Sequence, residues 1–170
     1  MAAPERLLAC AVSSQGMATI VLDKGRLRDW QLSRAVLDDH DKARSKIRLM
    51  AHEFGVDVFA TENPFDLSRK GLRARSLLHT LVQTIQDEAI RTIPLRRIQL
   101  YPNKYEEAEA LSQRFTEIAG HCPKKPKVGT NPPRDILYFE ALSYAITVLD
   151  SPELLVQLAL GNTDRGPASE

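Results

Sequence analysis

The stretch Val56-Asp57-Val58-Phe59-Ala60-Thr61-Glu62 decides how the fold of this chain is interpreted. Its apolar and β-branched residues predict a buried strand, and that strand ends in a carboxylate. A second carboxylate, Glu140, lies in the apolar segment 136–146, which predicts a helix. Because open α/β sheets gather their ligands at the carboxyl ends of strands, we expect Glu62 and Glu140 to converge where the first strand ends.

The first strand carries Ala11 at the position between those two acids. Carboxylates that converge from distant parts of a chain are typical of nuclease metal centres, in which two Mg²⁺ ions stabilise the attacking and leaving oxygens of a phosphodiester. Hard divalent cations need several oxygen ligands, and alanine supplies none. The sequence therefore indicates a fold more firmly than an activity.

Composition and charge indicate a single globular domain. The chain has 170 residues, of which 43% are hydrophobic and 26% charged, which allows one full core and is too apolar for disorder. We expect one domain over residues 1–160 and a flexible tail over 161–170. The net charge of +1 gives no global basic field, so any nucleic-acid binding must come from local patches.

Localisation is inferred from what the sequence lacks. No apolar run is long enough to cross a bilayer, and the first residues do not resemble a secretory signal. Two cysteines, Cys10 and Cys122, lie in unrelated contexts, which favours a reducing compartment. We expect a cytoplasmic protein that makes no membrane contact.

The first third of the chain predicts a sheet followed by a helix. Residues 6–12, 17–22 and 26–32 are short apolar or alternating runs that form an antiparallel meander. Ser33 is the expected N-cap of a helix of about twenty residues that stops at Gly55. The strand that ends in Glu62 follows.

The remaining elements alternate between helices and strands. A long helix is predicted from Ser68 to Arg91, and Ile98-Gln99-Leu100-Tyr101-Pro102 is the predicted fifth strand. Further helices are expected at 103–118, 134–149 and 152–160, with a loop at 121–133. The whole order predicts an α/β fold with a five-strand mixed sheet, three antiparallel strands and then two parallel ones, flanked by helices.

Four short segments resemble the RuvC-type Holliday junction resolvases, a family with the ribonuclease H-like fold. They are Leu8–Ser14 followed by Gly16, Ala60–Glu62, Lys70–Ser76 and Phe139–Ala145. None of the four is specific alone, but their order and spacing match those of the family over residues 6–150. The resemblance implies a ribonuclease H-like α/β domain.

The resemblance also implies a Mg²⁺ or Mn²⁺ site made of four acids, and this chain departs from it. The matching positions hold Ala11, Glu62, Leu137 and Glu140, so Glu62 and Glu140 remain as candidate catalytic residues and metal ligands, and would bind the ion weakly. Asp135 is a third candidate catalytic residue, which reaches the same ion only from a frayed first helical turn. The alternative is that Asp135 only stabilises the helix dipole.

Basic and polar side chains flank the acids in the sequence. One group shares an edge of the helix predicted from Ser68, another lies in the proline-rich loop before Glu140, and two serines follow the first strand. The residues expected to contact DNA phosphates are Ser13, Ser14, Arg69, Lys70, Arg73, Lys124, Lys125 and Lys127. The alternative is a solvated charged face and a flexible loop.

Two functional hypotheses from different classes follow. The first is a structure-selective, metal-dependent DNA endonuclease impaired by Ala11, in which that alanine is either an engineered substitution or is offset by other ligands; Ala11→Asp is then expected to give a gain of nicking. The second is a nucleic-acid-binding or scaffolding protein that kept the fold and lost the chemistry. An enzyme of another ribonuclease H-like branch is a minor third. In the first two cases the expected partner is branched DNA, bound by a homodimer that pairs through the helix predicted at 68–91.

Overall fold

The computed structural model describes residues 6–64, 70–96 and 101–151. Within these residues the strands are β1 Arg6–Ser13, β2 Gly16–Asp23, β3 Arg26–Ser33, β4 Val58–Glu62 and β5 Arg91–Leu95. They form one sheet in the order β3-β2-β1-β4-β5. The first three strands are antiparallel, β4 is parallel to β1, and β5 is parallel to β4. The predicted α/β fold with a five-strand mixed sheet is confirmed.

Helices cover both faces of this sheet. The α-helices are α1 His40–Glu53, α2 Leu72–Asp87, α3 Lys104–Arg114 and α4 Ile136–Asp150, and short 3₁₀ helices occupy Ala35–Asp38 and Thr116–His121. No helix in the described ranges is both long enough and apolar enough to cross a membrane.

The central strand β1 is buried on both sides, which explains its continuous apolar sequence. Alternate residues of β1 enter two hydrophobic clusters. Leu7, Ala9 and Ala11 pack on the side of α3 and α4. Leu8, Cys10 and Val12 pack on the side of α1 and α2. A residue's position along β1 therefore decides which helical layer it contacts.

The first helix begins later than the sequence suggested. Ser33 is not its N-cap but the last residue of β3, where it pairs with Met17 of β2. The true N-cap is Asp39, whose carboxylate accepts a hydrogen bond of 3.0 Å from the backbone N–H of Lys42. The sheet pairing of Ser33 explains the error, because local capping preference cannot reveal a long-range strand partner.

The predicted stop at Gly55 is confirmed. Gly55 has a left-handed backbone with φ of 59°. Its N–H donates to the carbonyl of His52, and the N–H of Val56 donates to that of Ala51. These two bonds close the end of α1 as a Schellman motif, which favours glycine.

The fifth strand was placed wrongly. It is Arg91–Leu95, whereas the prediction was 98–102, of which Tyr101 and Pro102 lie in a bend and the rest lie outside the described residues. The long helix was extended too far, since α2 ends at Asp87 and Ala89 has a left-handed φ of 58°. Pro94 made the true strand difficult to recognise in the sequence, because proline argues against a strand in the interior of a sheet. Proline is tolerated there because β5 is the edge strand of the sheet.

The last third of the fold follows the prediction closely. The helix expected at 103–118 is α3 followed by the 3₁₀ helix, and the loop before α4 is also present. The helix expected at 152–160 and the tail at 161–170 lie outside the described residues, and the single domain at 1–160 stays a prediction.

The apolar face of α2 packs inside the domain. Leu78 and Val82 are buried, at 1% and 9% exposure, against the sheet and α1. The helix through which two copies were expected to pair therefore buries these side chains in the core of one copy. Leu72, at 82% exposure, is the exposed apolar residue of this helix.

Burial of the β4 side chains should dominate stability. Phe59 is fully buried, so Phe59→Ala is expected to lower the free energy of unfolding by about 3–5 kcal/mol, measured by urea denaturation. The control Leu49→Ala, at a side chain 65% exposed, should change it by less than about 0.5 kcal/mol. Equal losses for both variants would contradict the assignment of the core.

Candidate functional site

Ala11 and Glu62 lie side by side at the carboxyl end of the two central parallel strands. The pairing of β1 with β4 runs as far as Cys10 opposite Thr61, and Ala11 and Glu62 are the next residues along the two strands. Both are buried. Val58 and Ala60 face the α4 side of the sheet, so the alternation of β4 turns Glu62 to that side as well.

Glu140 reaches the same place from α4. It lies one turn after Leu137 and is buried, at 8% exposure. Its Oε1 accepts a hydrogen bond of 2.9 Å from the hydroxyl of Tyr144, one turn further along the helix. Side chains at this spacing meet on one face of a helix, and the buried tyrosine thereby orients the carboxylate.

Lys70 lies between the two carboxylates. Its Nζ is 2.8 Å from Oε1 of Glu140 and 3.4 Å from Oε2 of Glu62. The same ammonium donates a hydrogen bond of 2.5 Å to the carbonyl of Val12 in β1. The Lys70 side chain is only 16% exposed. The lysine expected to contact DNA is therefore turned into the site.

The charge of Glu62 is compensated by proximity to this ammonium. In the described part of the chain, Oε2 of Glu62 accepts no hydrogen bond of good geometry, although Lys70 Nζ is 3.4 Å away. A buried carboxylate is costly without a nearby cation. Lys70 supplies that cation.

The donor set does not suit the divalent ion that the sequence suggested. Positions 11 and 137 are alanine and leucine, and within residues 6–64, 70–96 and 101–151 no group of three or more His, Cys, Asp or Glu side chains is arranged to hold a metal. Hard cations need more oxygens than Glu62 and Glu140 provide. An ion beside Lys70 would also meet like-charge repulsion, which for two unit charges 4 Å apart at an effective dielectric of 20 is about 4 kcal/mol.

Asp135 contacts a histidine, whereas the sequence suggested a metal ion as its partner. Its Oδ2 lies 3.3 Å from Nδ1 of His121, and both side chains are about two-fifths exposed. The His121 ring packs at 5.1 Å from the ring of Tyr138. The contacts of Asp135 thus tie the start of α4 to the preceding 3₁₀ helix.

Lys70 and Arg73, two residues of the basic edge expected near α2, have different ion-pair partners. Lys70 lies two residues before the helix begins, so helical spacing does not relate it to Arg73. Arg73 forms an ion pair with Asp38 of the first 3₁₀ helix, and Arg69 lies outside the described residues. The physical reason for the difference is the late start of α2 at Leu72.

The lysines of the loop before α4 are accessible. Lys124, Lys125 and Lys127 are all exposed. The loop is attached to the turn after β1, because the side-chain amide of Gln15 donates a hydrogen bond of 2.8 Å to the carbonyl of Pro132. The Pro132 end of the loop therefore lies beside the β1–β2 turn.

A cavity of about 220 Å³ opens at this end of the sheet. Its lining is mixed and includes the buried Leu137 and Glu140 together with several polar groups. The lining residues are Ser13, Ser14, Gln15, Lys104, Asn131, Pro132, Ile136, Leu137 and Glu140. The sequence named the two serines and Glu140 but missed Asn131, because the contact that brings the loop to β1 joins residues more than a hundred positions apart. It also missed Lys104, the first residue of α3, which lines the cavity together with residues distant from it in the sequence.

Solved structures, but not known sequences, show similarity to this chain. No protein-family model matches the sequence, and no curated protein matches it. Solved structures do match. The chain has a RuvC-like fold.

Two structures of RuvC from Thermus thermophilus are among those that show this similarity. One, in complex with a Holliday junction substrate, superimposes with a TM-score of 0.57 at 12% sequence identity, over 88% of this chain and 95% of the RuvC chain. The other gives a TM-score of 0.55 at 13% identity, over 88% and 96%. At such identities the similarity establishes the fold alone.

The buried thiol beside the site gives a test of this geometry. Burial raises the pKa of Cys10 to about 12 from its usual 9.0, and Glu140 adds to the rise while Lys70 opposes it. Only Cys122, which is half-buried, should react with a thiol reagent at pH 8 until the protein unfolds, because the thiolate is the reactive form.

The same shift affects stability. The folded state binds the Cys10 proton more tightly, so the stability that this proton contributes is complete below pH 9 and is lost as the pH rises towards 12. Rapid modification of both cysteines in the native protein at pH 8 would contradict the burial of β1.

Proposed function

We propose that this protein binds branched DNA through the cleft at the carboxyl end of β1 and does not cleave it by a metal-dependent mechanism. The observation that supports this proposal best is the site itself. Two of its four acid positions hold Ala11 and Leu137, and the two remaining carboxylates share the ammonium of Lys70. A fold suited to DNA junctions is thus combined with a site that lacks the ligands for hydrolysis.

Binding would use the groups around the cavity. Lys104 and the hydroxyls of Ser13 and Ser14 line it, and each is able to donate a hydrogen bond to a phosphate oxygen. The exposed loop lysines extend this surface with three positive charges. Contacts of this kind position a nucleic acid by its backbone, so we expect selectivity for DNA shape rather than for base sequence.

The endonuclease hypothesis keeps one supporting observation, the convergence of Glu62 and Glu140 in a RuvC-like fold. With Mg²⁺ or Mn²⁺ it would require further oxygen ligands and displacement of Lys70. The interpretation without catalysis needs neither change, and we prefer it.

A two-fold dimer remains part of the proposal, because a four-way junction presents equivalent strands to two copies of one protein. Leu72 is the exposed apolar residue of α2 that such an interface would cover. Analytical ultracentrifugation tests the dimer separately from DNA binding.

The loop lysines provide the main test of DNA binding. Removing three phosphate contacts with Lys124→Ala, Lys125→Ala and Lys127→Ala together should weaken binding to a fluorescent four-way junction. It should also reduce the slope of log K against log salt by about 2–3. Fluorescence anisotropy in EDTA measures both quantities.

A matched control is available at the opposite end of the sheet. Lys24, Arg26 and Arg28 are also exposed, and their combined replacement by alanine should leave junction binding unchanged. Failure of the unmodified protein to bind a junction at low salt would refute the proposal. Cleavage of the junction in Mg²⁺ or Mn²⁺ that Glu62→Gln abolishes would refute its non-catalytic part.

A further inference from the structure

Lys70 makes contacts that a metal ion would otherwise make. Its ammonium contacts three structural elements at once, through the carbonyl of Val12 in β1, Glu62 at the end of β4 and Glu140 in α4. The side chains of Lys70, Glu62 and Glu140 are 9–16% exposed. The positive charge therefore lies inside the fold, at the place where the two acids converge.

The local charges explain why a cation is needed there. Two carboxylates carry a charge of −2, and both are too buried for water to screen them well. They would destabilise the strand ends and would also repel a phosphodiester entering the cavity that Glu140 lines. One ammonium removes half of this charge and binds both carboxylates.

We infer that Lys70 is a built-in substitute for a divalent cation, which holds β1, β4 and α4 together and halves the negative charge of the two acids so that DNA phosphate is accepted without metal. This inference rests on the proposed function for its DNA-binding half, whereas its structural half is independent of any ligand. It predicts that DNA binding is insensitive to EDTA.

The inference changes the expectation for position 11. An aspartate there was expected to restore nicking, but Lys70 would pair with the new carboxylate and continue to exclude the metal. Ala11→Asp alone should therefore gain neither Mn²⁺ binding nor cleavage. Ala11→Asp combined with Lys70→Ala places three carboxylates in an open site, which should bind Mn²⁺ detectably by electron paramagnetic resonance.

The direct experiment compares thermal unfolding of the full chain in EDTA and in millimolar Mn²⁺, without DNA. The unmodified protein should melt at the same temperature in both. Lys70→Ala should melt about 10 °C lower in EDTA, because it leaves two buried carboxylates uncompensated. Mn²⁺ should recover most of that loss only when Ala11→Asp adds a third carboxylate to Lys70→Ala. The control Lys46→Ala, at another partly buried lysine, should show no response to Mn²⁺.

A second variant covers the case in which Lys70→Ala does not fold. Lys70→Met combined with Glu62→Gln and Glu140→Gln removes both the cation and the charges it compensates, so it should fold and should ignore Mn²⁺. If this variant also fails to fold, Lys70 acts through packing and the inference is wrong.

Other outcomes would overturn it as well. They are stabilisation of the unmodified protein by Mn²⁺, a Lys70→Ala protein that melts like the unmodified one in EDTA, and a destabilised Ala11→Asp, Lys70→Ala protein that Mn²⁺ does not recover. For DNA, Lys70→Ala should bind the junction at least tenfold more weakly in EDTA, and recovery in Mn²⁺ is expected only when Ala11→Asp is added. If no variant binds DNA but the thermal results are as expected, the proposed function is refuted and the structural role of Lys70 is retained.

Discussion

The contacts of the Lys70 ammonium with Glu62 and Glu140 are the interaction on which the rest of this site depends. Parallel strands place their carboxyl ends together, and α4 adds its own acid from above the sheet. The fold thereby concentrates negative charge at one point, and some cation must be present there. In this chain the cation is a side chain from the segment just before α2.

The presence of the Lys70 ammonium makes the two departures from the four-acid pattern, Ala11 and Leu137, consistent with each other. With a lysine between the carboxylates, an aspartate at position 11 would no longer have a metal to bind. Alanine at that position packs into the cluster on the α4 side of the sheet, and Leu137 does the same one turn before Glu140. Apolar residues at these two positions, in a site that holds a resident ammonium, agree with the proposed binding without cleavage.

Much of the fold was predictable from local pattern, and its errors had long-range causes. The meander, the strand ending in Glu62 and the stop at Gly55 follow from periodicity and turn chemistry. The fifth strand was missed because Pro94 is acceptable only on an edge strand, and edge position is a property of the complete sheet. The N-cap at Ser33 was wrong because its sheet partner in β2 determines its role.

The site was predictable only in part. The convergence of Glu62 and Glu140 follows from topology, since each acid lies at a position that any such sheet would bring together. The role of Lys70 does not follow, because the sequence suggested a helical surface there and the residue lies before the helix starts. The same applies to Lys104, the first residue of α3, which lines the cavity together with residues distant from it in the sequence.

A crystal structure grown in Mn²⁺, with anomalous data collected at the manganese edge, tests the central claim most directly. The expected map has no anomalous peak at Glu62 and Glu140, and shows the Lys70 side chain extended between them. A manganese peak ligated by both carboxylates, with Lys70 displaced, would contradict the claim that this protein carries its own cation.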